Sequence, residues 1–438
     1  MTDNTPPPAG EPTLRIVHKS QYDRQIFIPA SVSNLPQLAP SSVRVQSRLI
    51  GLTANNLSYC ALGTALHWWD AFPLPSWAKV PSNDASEYGV SPGWGYAMIL
   101  DSNVPSLQAG SLLWGFIPVS TCPVDLLLNQ SKGLSSHYVE VSQHRSQVMP
   151  LYQQYIAVGD HIDLTSPVAG LTAMLKPVWE ASFLYNTYNF PSDPSLPVLH
   201  PGIGHPWGPE DADLTHAAVI CLGAGSKTSR SFVHQLATNR AKGSGPLAVL
   251  EVSSSPSPFS GRNLPFAHKV VGYEELQGQQ ASALAEWLVS HVGLVKRFVL
   301  LDFAGSRGTS QVVYDLVRSH SSNFPVEVLM VGTAPQVYSA QDLGERQDLT
   351  IRLNAVRCNA SGIRVAAIEA EDEEAYFNRL DAAFADLVQE EKSYNSGKYI
   401  GIDLVVRHGL QGSQGLEGTW NLLCDQKLRG DQGFAFLL

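Results

Sequence analysis

Apolar and polar positions follow two different rhythms along this chain. From about residue 13 to 160, short apolar runs such as RVQSRLIGLTA, GWGYAMILDSNV and GSLLWGFIPVS are broken by Pro, Gly, Ser and Asn. This rhythm predicts a β-rich domain with many turns. Residues 77–92 and 130–147 read as long loops of the kind found beside binding sites. The texture changes after Ser166, where LTAMLKPVWEASFLYNTYNF reads as helix and a long Pro/Gly-rich connection follows. From His216, apolar strands (AAVICLGAG, PLAVLEVSS, KVVGYEEL, KRFVLLDFAG, VEVLMVGTA) alternate with amphipathic helices. That alternation predicts parallel βαβ units, with the strand ends that bind ligands gathered on one edge. The last hundred residues return to mixed texture: a helix near DEEAYFNRLDAAFADLVQEEKS, a strand IGIDLVV, a helix GLEGTWNLLCDQKL and a closing strand GFAFLL.

A chain of 438 residues, 44% of them hydrophobic, exceeds one ordinary core, so more than one domain is expected. The predicted division is a flexible tail at 1–12, a β-rich domain at 13–165 to which 336–438 returns, and an α/β cofactor domain at 166–335. The net charge is −10 without a basic stripe, which argues against nucleic acid as a partner. No apolar run approaches the ~20 residues of a membrane span, and the first residues lack an apolar signal core. The five cysteines are scattered without CxxC spacing, so neither a zinc site nor a disulfide framework is expected, and a reducing cytoplasm fits.

The chemistry concentrates at Gly223-Ala224-Gly225-Ser226-Lys227-Thr228, which follows a buried strand and opens a helix. Small residues there let the backbone approach a pyrophosphate, and the helix start supplies free N–H groups. Lys227 and the hydroxyls of Ser226 and Thr228 are candidate phosphate contacts. The third glycine of GxGxxG is missing, because threonine stands at 228. The second strand ends in Glu251-Val252-Ser253-Ser254-Ser255. An acid at that tip holds the ribose diol of NAD, whereas serines with Arg262 nearby suit the 2′-phosphate of NADP. NADP(H) is therefore placed ahead of NAD(H), with Glu251 as the residue that would reverse the order.

Further residues carry a family resemblance. The stretch 267–275, AHKVVGYEE, looks like the "ADEVINYKEE" of zinc-independent quinone and enoyl reductases of the medium-chain dehydrogenase/reductase superfamily, and adds Tyr273 to the cofactor set. Asp302-Phe303-Ala304-Gly305 is similar to their fourth-strand "D-x-x-G", and Val331-Gly332, followed by Thr333, resembles the strand end that passes the nicotinamide. The stretches 415–418 and 427–430 resemble the closing helix and "G-K-x-x-G-K-x-V". In the first half, Asn55-Asn56-Leu57-Ser58-Tyr59 through Gly63 resembles "N-P-x-D/E-x-Y-x-R-x-G", and 110–115 replaces "G-D-x-V-x-G". An uncharacterised microbial branch, known only as a domain of unknown function, shows the nearest likeness, with similar "ANNxTYAxxG", "YWDFFP", "VYNQY" and "SSKT" motifs. The resemblance covers about 43–438. It implies an α/β protein with a GroES-like β-rich substrate domain and a Rossmann domain, NADP(H) as cofactor, no metal, a homodimer, and a small hydrophobic enoyl or carbonyl substrate.

The departures lie on the substrate side. The acid and Arg of the substrate motif have become Ser58 and Leu62, and the "GHE" and four-cysteine loop of zinc members are absent. Tyr59 is the candidate proton donor, or else a buried tyrosine with a satisfied hydroxyl. Asn55, Asn56, Trp69, Tyr152 and Tyr155 are candidate substrate-binding residues. His200 and His205 offer two metal-type ligands without a third. Two rival chemistries stay open: a reductase fold turned to non-redox cyclase, isomerase or lyase work, and a Ser-dependent hydrolase. The latter would use Ser306 in Ala304-Gly305-Ser306-Arg307-Gly308, with Asp342 or Asp348 and His408 completing the order of a triad.

Overall fold

The computed structural model describes residues 11–30, 35–80, 85–159, 162–290, 294–305, 308–393 and 398–438. All but the last two residues of the tail expected at 1–12 lie outside them, as do Ser306 and Arg307. The chain divides into two compact units, one formed by Met1–Leu175, Leu404–Lys427 and Gly433–Leu438, the other by Lys176–Asp403 and Leu428–Gln432.

The first unit is built on antiparallel strands that curl into a closed ring. Ser42–Leu52 is followed in space by Pro92–Ser102, Leu112–Pro118, Gln154–Val158, His137–Glu140 and Val124–Gln130, and the last of these pairs back onto Ser42–Leu52. Closure removes exposed strand edges. It requires one strand to bend, and Ser42–Leu52 does so through irregularities at Arg44/Val45 and Ser47/Leu49. The stretch expected as a loop at 130–147 thus contains the pairing strand His137–Glu140, whose four residues are too few to announce a period of two. Helix Pro167–Met174, capped by the Ser166 side chain, also belongs to this unit and not to the second. A β-carbon on Gly51 would lie 2.3 Å from the Ala173 carbonyl oxygen, so this helix seats directly on the sheet backbone.

The second unit holds a seven-stranded sheet in the spatial order Gly202–Ile203, Val356–Cys358, Val326–Met330, Arg297–Asp302, Ala217–Leu222, Ala248–Val252, Ala267–Val271. The pairings are parallel except that of Gly202–Ile203. Ala217–Leu222 and Arg297–Asp302 are buried at every position, as strands covered on both faces must be. Counted from Ala217–Leu222, the strands lie 3-2-1-4-5-6, the doubly wound order whose reversal point opens a crevice at the strand C-termini.

Residues 336–403 do not return to the first unit as expected; they complete the second. Helix Ala340–Arg352 leads into Val356–Cys358, which adds in parallel to Val326–Met330. A strand of three residues, VRC, carries no readable period, so the sixth position in the sheet is invisible in the sequence. Helices Ala360–Glu371 and Glu373–Ser393 follow, and a buried cluster fixes them to Lys176–Leu184. There Tyr376 donates to Glu180 at 2.7 Å, and Arg364 Nε lies 3.3 Å from the same carboxylate oxygen.

Candidate functional site

The reversal point of the parallel sheet is built from backbone that leaves no room for side chains. Gly223 has φ +65°, and a β-carbon there would lie 2.5 Å from the Ala304 carbonyl carbon. Only glycine meets both conditions without strain. Ala224 N donates to Val252 O at 3.0 Å, tying the loop to the end of the second strand. Ser226 caps helix Lys227–Thr238, its hydroxyl accepting from Ser229 N at 3.2 Å. The remaining first-turn amides cannot find partners within the helix, as at any helix start.

The other strand ends are held as tightly. Asp302 accepts from Gly305 N at 2.8 Å and from Ser310 Oγ at 2.5 Å, fixing the turn through Ala304 and Gly305. A β-carbon on Gly332 would lie 2.1 Å from Phe303 O, and the Gly332 carbonyl accepts from Arg346. Thr333, half-buried, shares a hydrogen bond with Tyr338. Tyr273 is partly buried against the core of the sheet.

At the tip of the second strand the serines lie close to the glycine loop. A β-carbon on Gly225 would come 3.0 Å from Ser253 Oγ and 3.4 Å from Ser255 Oγ. Ser253 Oγ accepts from Ser255 N at 2.9 Å, while Ser254 is exposed. Arg262 is half-buried, its guanidinium carbon 5.8 Å from the Phe259 ring centre. Glu251 is only 1% exposed and accepts from Ser257 Oγ at 2.7 Å and His268 Nε2 at 2.6 Å.

One expected phosphate ligand, Lys227, has a backbone partner of its own. Lys227 donates to Gln432 O at 2.6 Å, and desolvation pulls its pKa down to about 8. It thereby holds the segment Leu428–Gln432. The sequence reading had a cation at the right position but no means of seeing a carbonyl so far along the chain. Thr228 contributes its carbonyl, which accepts from Ser182 Oγ at 2.7 Å. The sequence reading also missed Arg230. Its guanidinium is 1% exposed and donates to Gly225 O and Pro256 O at 3.1 Å each, and to Ile400 O and Gly401 O at 3.3 Å each. One residue thereby joins the glycine loop, the serine loop and a distant turn. Its only signal in the sequence is a charge on the buried side of an amphipathic helix.

In the first unit, two of the expected site residues, Tyr59 and Tyr152, lie in a buried aromatic cluster. Tyr59 lies on helix Ala54–Ala61 and is 1% exposed. Its ring meets Trp68 at 4.9 Å, Phe116 at 5.0 Å and Tyr152 at 5.7 Å, all edge to face. Its oxygen accepts from Asn55 Nδ2 at 3.1 Å and Trp94 Nε1 at 2.8 Å. Burial pushes the hydroxyl far above the usual tyrosine range, against the pull of those donors. These contacts support an anchoring role more than the expected proton donation. Asn56 is buried and caps its own helix, accepting from Thr53 N at 2.8 Å. Tyr155 is also fixed: its hydroxyl donates to Phe116 O and accepts from Arg145 at 2.9 Å, and its ring lies 2.5 Å from where a Gly115 β-carbon would be. Trp69 packs over Gly63 and Gly89. Asn56 is held by the cap of its own helix, and Tyr155 by a carbonyl that only the folded sheet brings near. A cavity of about 410 Å³ in this unit is lined by Asp23, Arg24, Gln25, Ile26, Tyr88, Glu417 and Asn421, none of them a predicted site residue.

The remaining candidates are also placed. His200 Nε2 lies 2.8 Å from His205 O and His205 Nε2 3.2 Å from Glu327, so the two histidines shape their loop. Among the described residues, no three His, Cys, Asp or Glu side chains converge as a metal site. Asp342, a triad candidate, is committed to capping its helix by accepting from Ser339 N and Oγ.

No curated protein sequence matches this chain. Among solved structures it is similar to CurA from Vibrio vulnificus in complex with NADPH, at 13% identity and TM-score 0.50 over 97% of this chain and 98% of that one. It is also similar to a protein assigned as an NADPH:quinone reductase from Bacillus thuringiensis, at 10% identity and TM-score 0.51 over 98% and 99%. These likenesses are of fold alone. The family described as "Protein of unknown function (DUF2855)" matches residues 50–429, and the chain belongs to it.

Proposed function

We propose that this chain is an NADP(H)-dependent, zinc-independent oxidoreductase acting on a hydrophobic enoyl or carbonyl compound, as in secondary metabolism. The first unit would be its GroES-like substrate domain and the second its Rossmann cofactor domain. One observation carries the reading: at the reversal point of a 3-2-1-4-5-6 sheet, a glycine-only turn meets a capped helix start, with serines and not a free acid at the neighbouring strand tip. The residues fit the cofactor. First-turn amides after Ser226 would hold the pyrophosphate, Ser254, Ser255 and Arg262 the 2′-phosphate, and the backbone at Ala304–Gly305 and Gly332–Thr333 would flank the nicotinamide. When bound, the nicotinamide supplies a hydride to the electrophilic carbon of the substrate. That CurA was solved with NADPH is in keeping with this choice.

Among the described residues, no helix is long and apolar enough to cross a membrane. The five unpaired cysteines suit a reducing cytoplasm, and we place the protein there, as a homodimer. Nicotinamide fluorescence on titration with NADPH, followed by NADPH oxidation assays with enones and enoyl thioesters, tests the proposal. Saturable binding with turnover supports it; absence of binding overturns it. A second reading, a reductase fold turned to cyclase, isomerase or lyase chemistry, is favoured by the burial of Tyr59. It would be recognised by cofactor binding without oxidation.

A further inference from the structure

The acid expected to decide between NAD and NADP is present in this chain but is bound by its own neighbours. Glu251 lies in strand Ala248–Val252, paired in register with Val270; His268, on the same neighbouring strand, pairs with Val249. Residues two apart on a strand share a face, so Glu251 and His268 meet diagonally across the ladder. The carboxylate is 1% exposed, with His268 Nε2 at 2.6 Å and Ser257 Oγ at 2.7 Å on one oxygen. Ser257 in turn accepts from Phe259 N at 3.2 Å, and Phe259 O accepts from Arg262 N at 3.1 Å. The same bonds that occupy Glu251 therefore organise the loop carrying Arg262. The nearby cation Arg230 is committed to carbonyl groups and does not offset the acid through a direct bond.

A free carboxylate at this strand end accepts from the two ribose hydroxyls and repels a phosphate dianion. A carboxylate held inward does neither. We infer that His268 is a specificity-determining residue: by holding Glu251 inward it removes the acid that would select NADH and leaves the strand tip to a 2′-phosphate. This rests on the NADP(H) reading above. His268 touches no cofactor in this role and acts only through Glu251.

The test measures dissociation constants of the full chain for NADPH and NADH by nicotinamide fluorescence, at one pH and salt concentration. His268→Ala is expected to lower the NADPH-over-NADH preference by about tenfold or more, the effect of one hydrogen-bond-sized free-energy change. His268→Gln, which keeps a donor, should retain the preference. Adding Glu251→Gln to His268→Ala should restore it, because the released charge is gone. Glu251→Gln alone should leave the preference within about twofold of the parent, as the charge is already withheld. A folded His268→Ala variant with the parental preference overturns the inference. So does a double variant that behaves like His268→Ala. Should His268→Ala fail to fold, a preference moved tenfold by Glu251→Gln alone also overturns it. A parent chain that binds neither nucleotide defeats the NADP(H) reading itself, which is a separate result.

Discussion

A β-carbon on Gly430 would lie 2.2 Å from the carbonyl oxygen of Gly225. The segment Leu428–Gln432 therefore rests on the glycine loop backbone to backbone, and Lys227 draws it in by donating to Gln432 O at 2.6 Å. Gly430→Ala is expected to displace the loop, lowering NADPH affinity at least about tenfold and costing about 1–3 kcal/mol of stability, the range for overpacking a tight contact. Calorimetric titration and denaturant unfolding measure both. Unchanged affinity would mean that the loop tolerates the shift.

Gly344 supplies the contrasting case. It lies inside helix Ala340–Arg352, and a β-carbon there would meet nothing within 4 Å. Gly344→Ala should stabilise the protein by about 0.5–1 kcal/mol, through reduced freedom of the unfolded chain. Urea unfolding at neutral pH reads the difference, and a loss of stability would contradict the open surroundings.

Lys227→Met separates two roles for one cation. If the ammonium serves Gln432 and not a phosphate, the NADPH-over-NADH preference stays as in the parent. Stability should carry a pH signature. The folded pKa of about 8 lies below the unfolded 10.5, so between these values the unfolded chain binds more protons, and this group's contribution rises with pH. Relative to Lys227→Met, the parent should therefore gain stability as pH climbs from about 8 to 10.5 and show a constant difference below 8. Parallel unfolding curves across that window would argue against an enclosed ammonium.

Tyr59→Phe removes the acceptor shared by Asn55 and Trp94. The expected cost is about 1–3 kcal/mol, the penalty for buried donors left unpaired. Turnover, once a substrate is found, should stay within about tenfold of the parent. A loss of about 10²–10⁴-fold at unchanged stability would instead return Tyr59 to the general-acid role.

The buried thiols predict alkaline sensitivity. Burial raises Cys122 from 9.0 to about 11 and Cys424 to about 12. Cys60, Cys221 and Cys358 are pushed higher still. For an acid raised on folding, stability is fully present below the unfolded value near 9.0 and is lost as pH rises through the folded values. These five groups outnumber Lys227, whose contribution runs the other way. The urea midpoint should fall steadily above about pH 9, and a midpoint flat to pH 11 would show the thiols to be accessible.

The sequence by itself determined the alternation of strands and helices from Ala217 to Met330. Parallel strands buried on both faces must be nearly unbroken apolar runs, and the helices covering them must be amphipathic. It also determined the turn at Gly223, because a positive φ against a neighbouring backbone admits only glycine. Both are local requirements, written in consecutive residues. What Lys227, Glu251, Tyr59 and Tyr155 do was decided by tertiary structure. Each has side-chain atoms whose partners are set by where other strands pass: Gln432 for Lys227, His268 for Glu251, Trp94 for Tyr59 and Phe116 for Tyr155. The three residues Val356–Cys358 became a strand because Val326–Met330 and Gly202–Ile203 offered edges on either side. Charge, size and hydrogen-bonding capacity are properties of a residue; the direction in which a buried polar group satisfies them belongs to the packed fold.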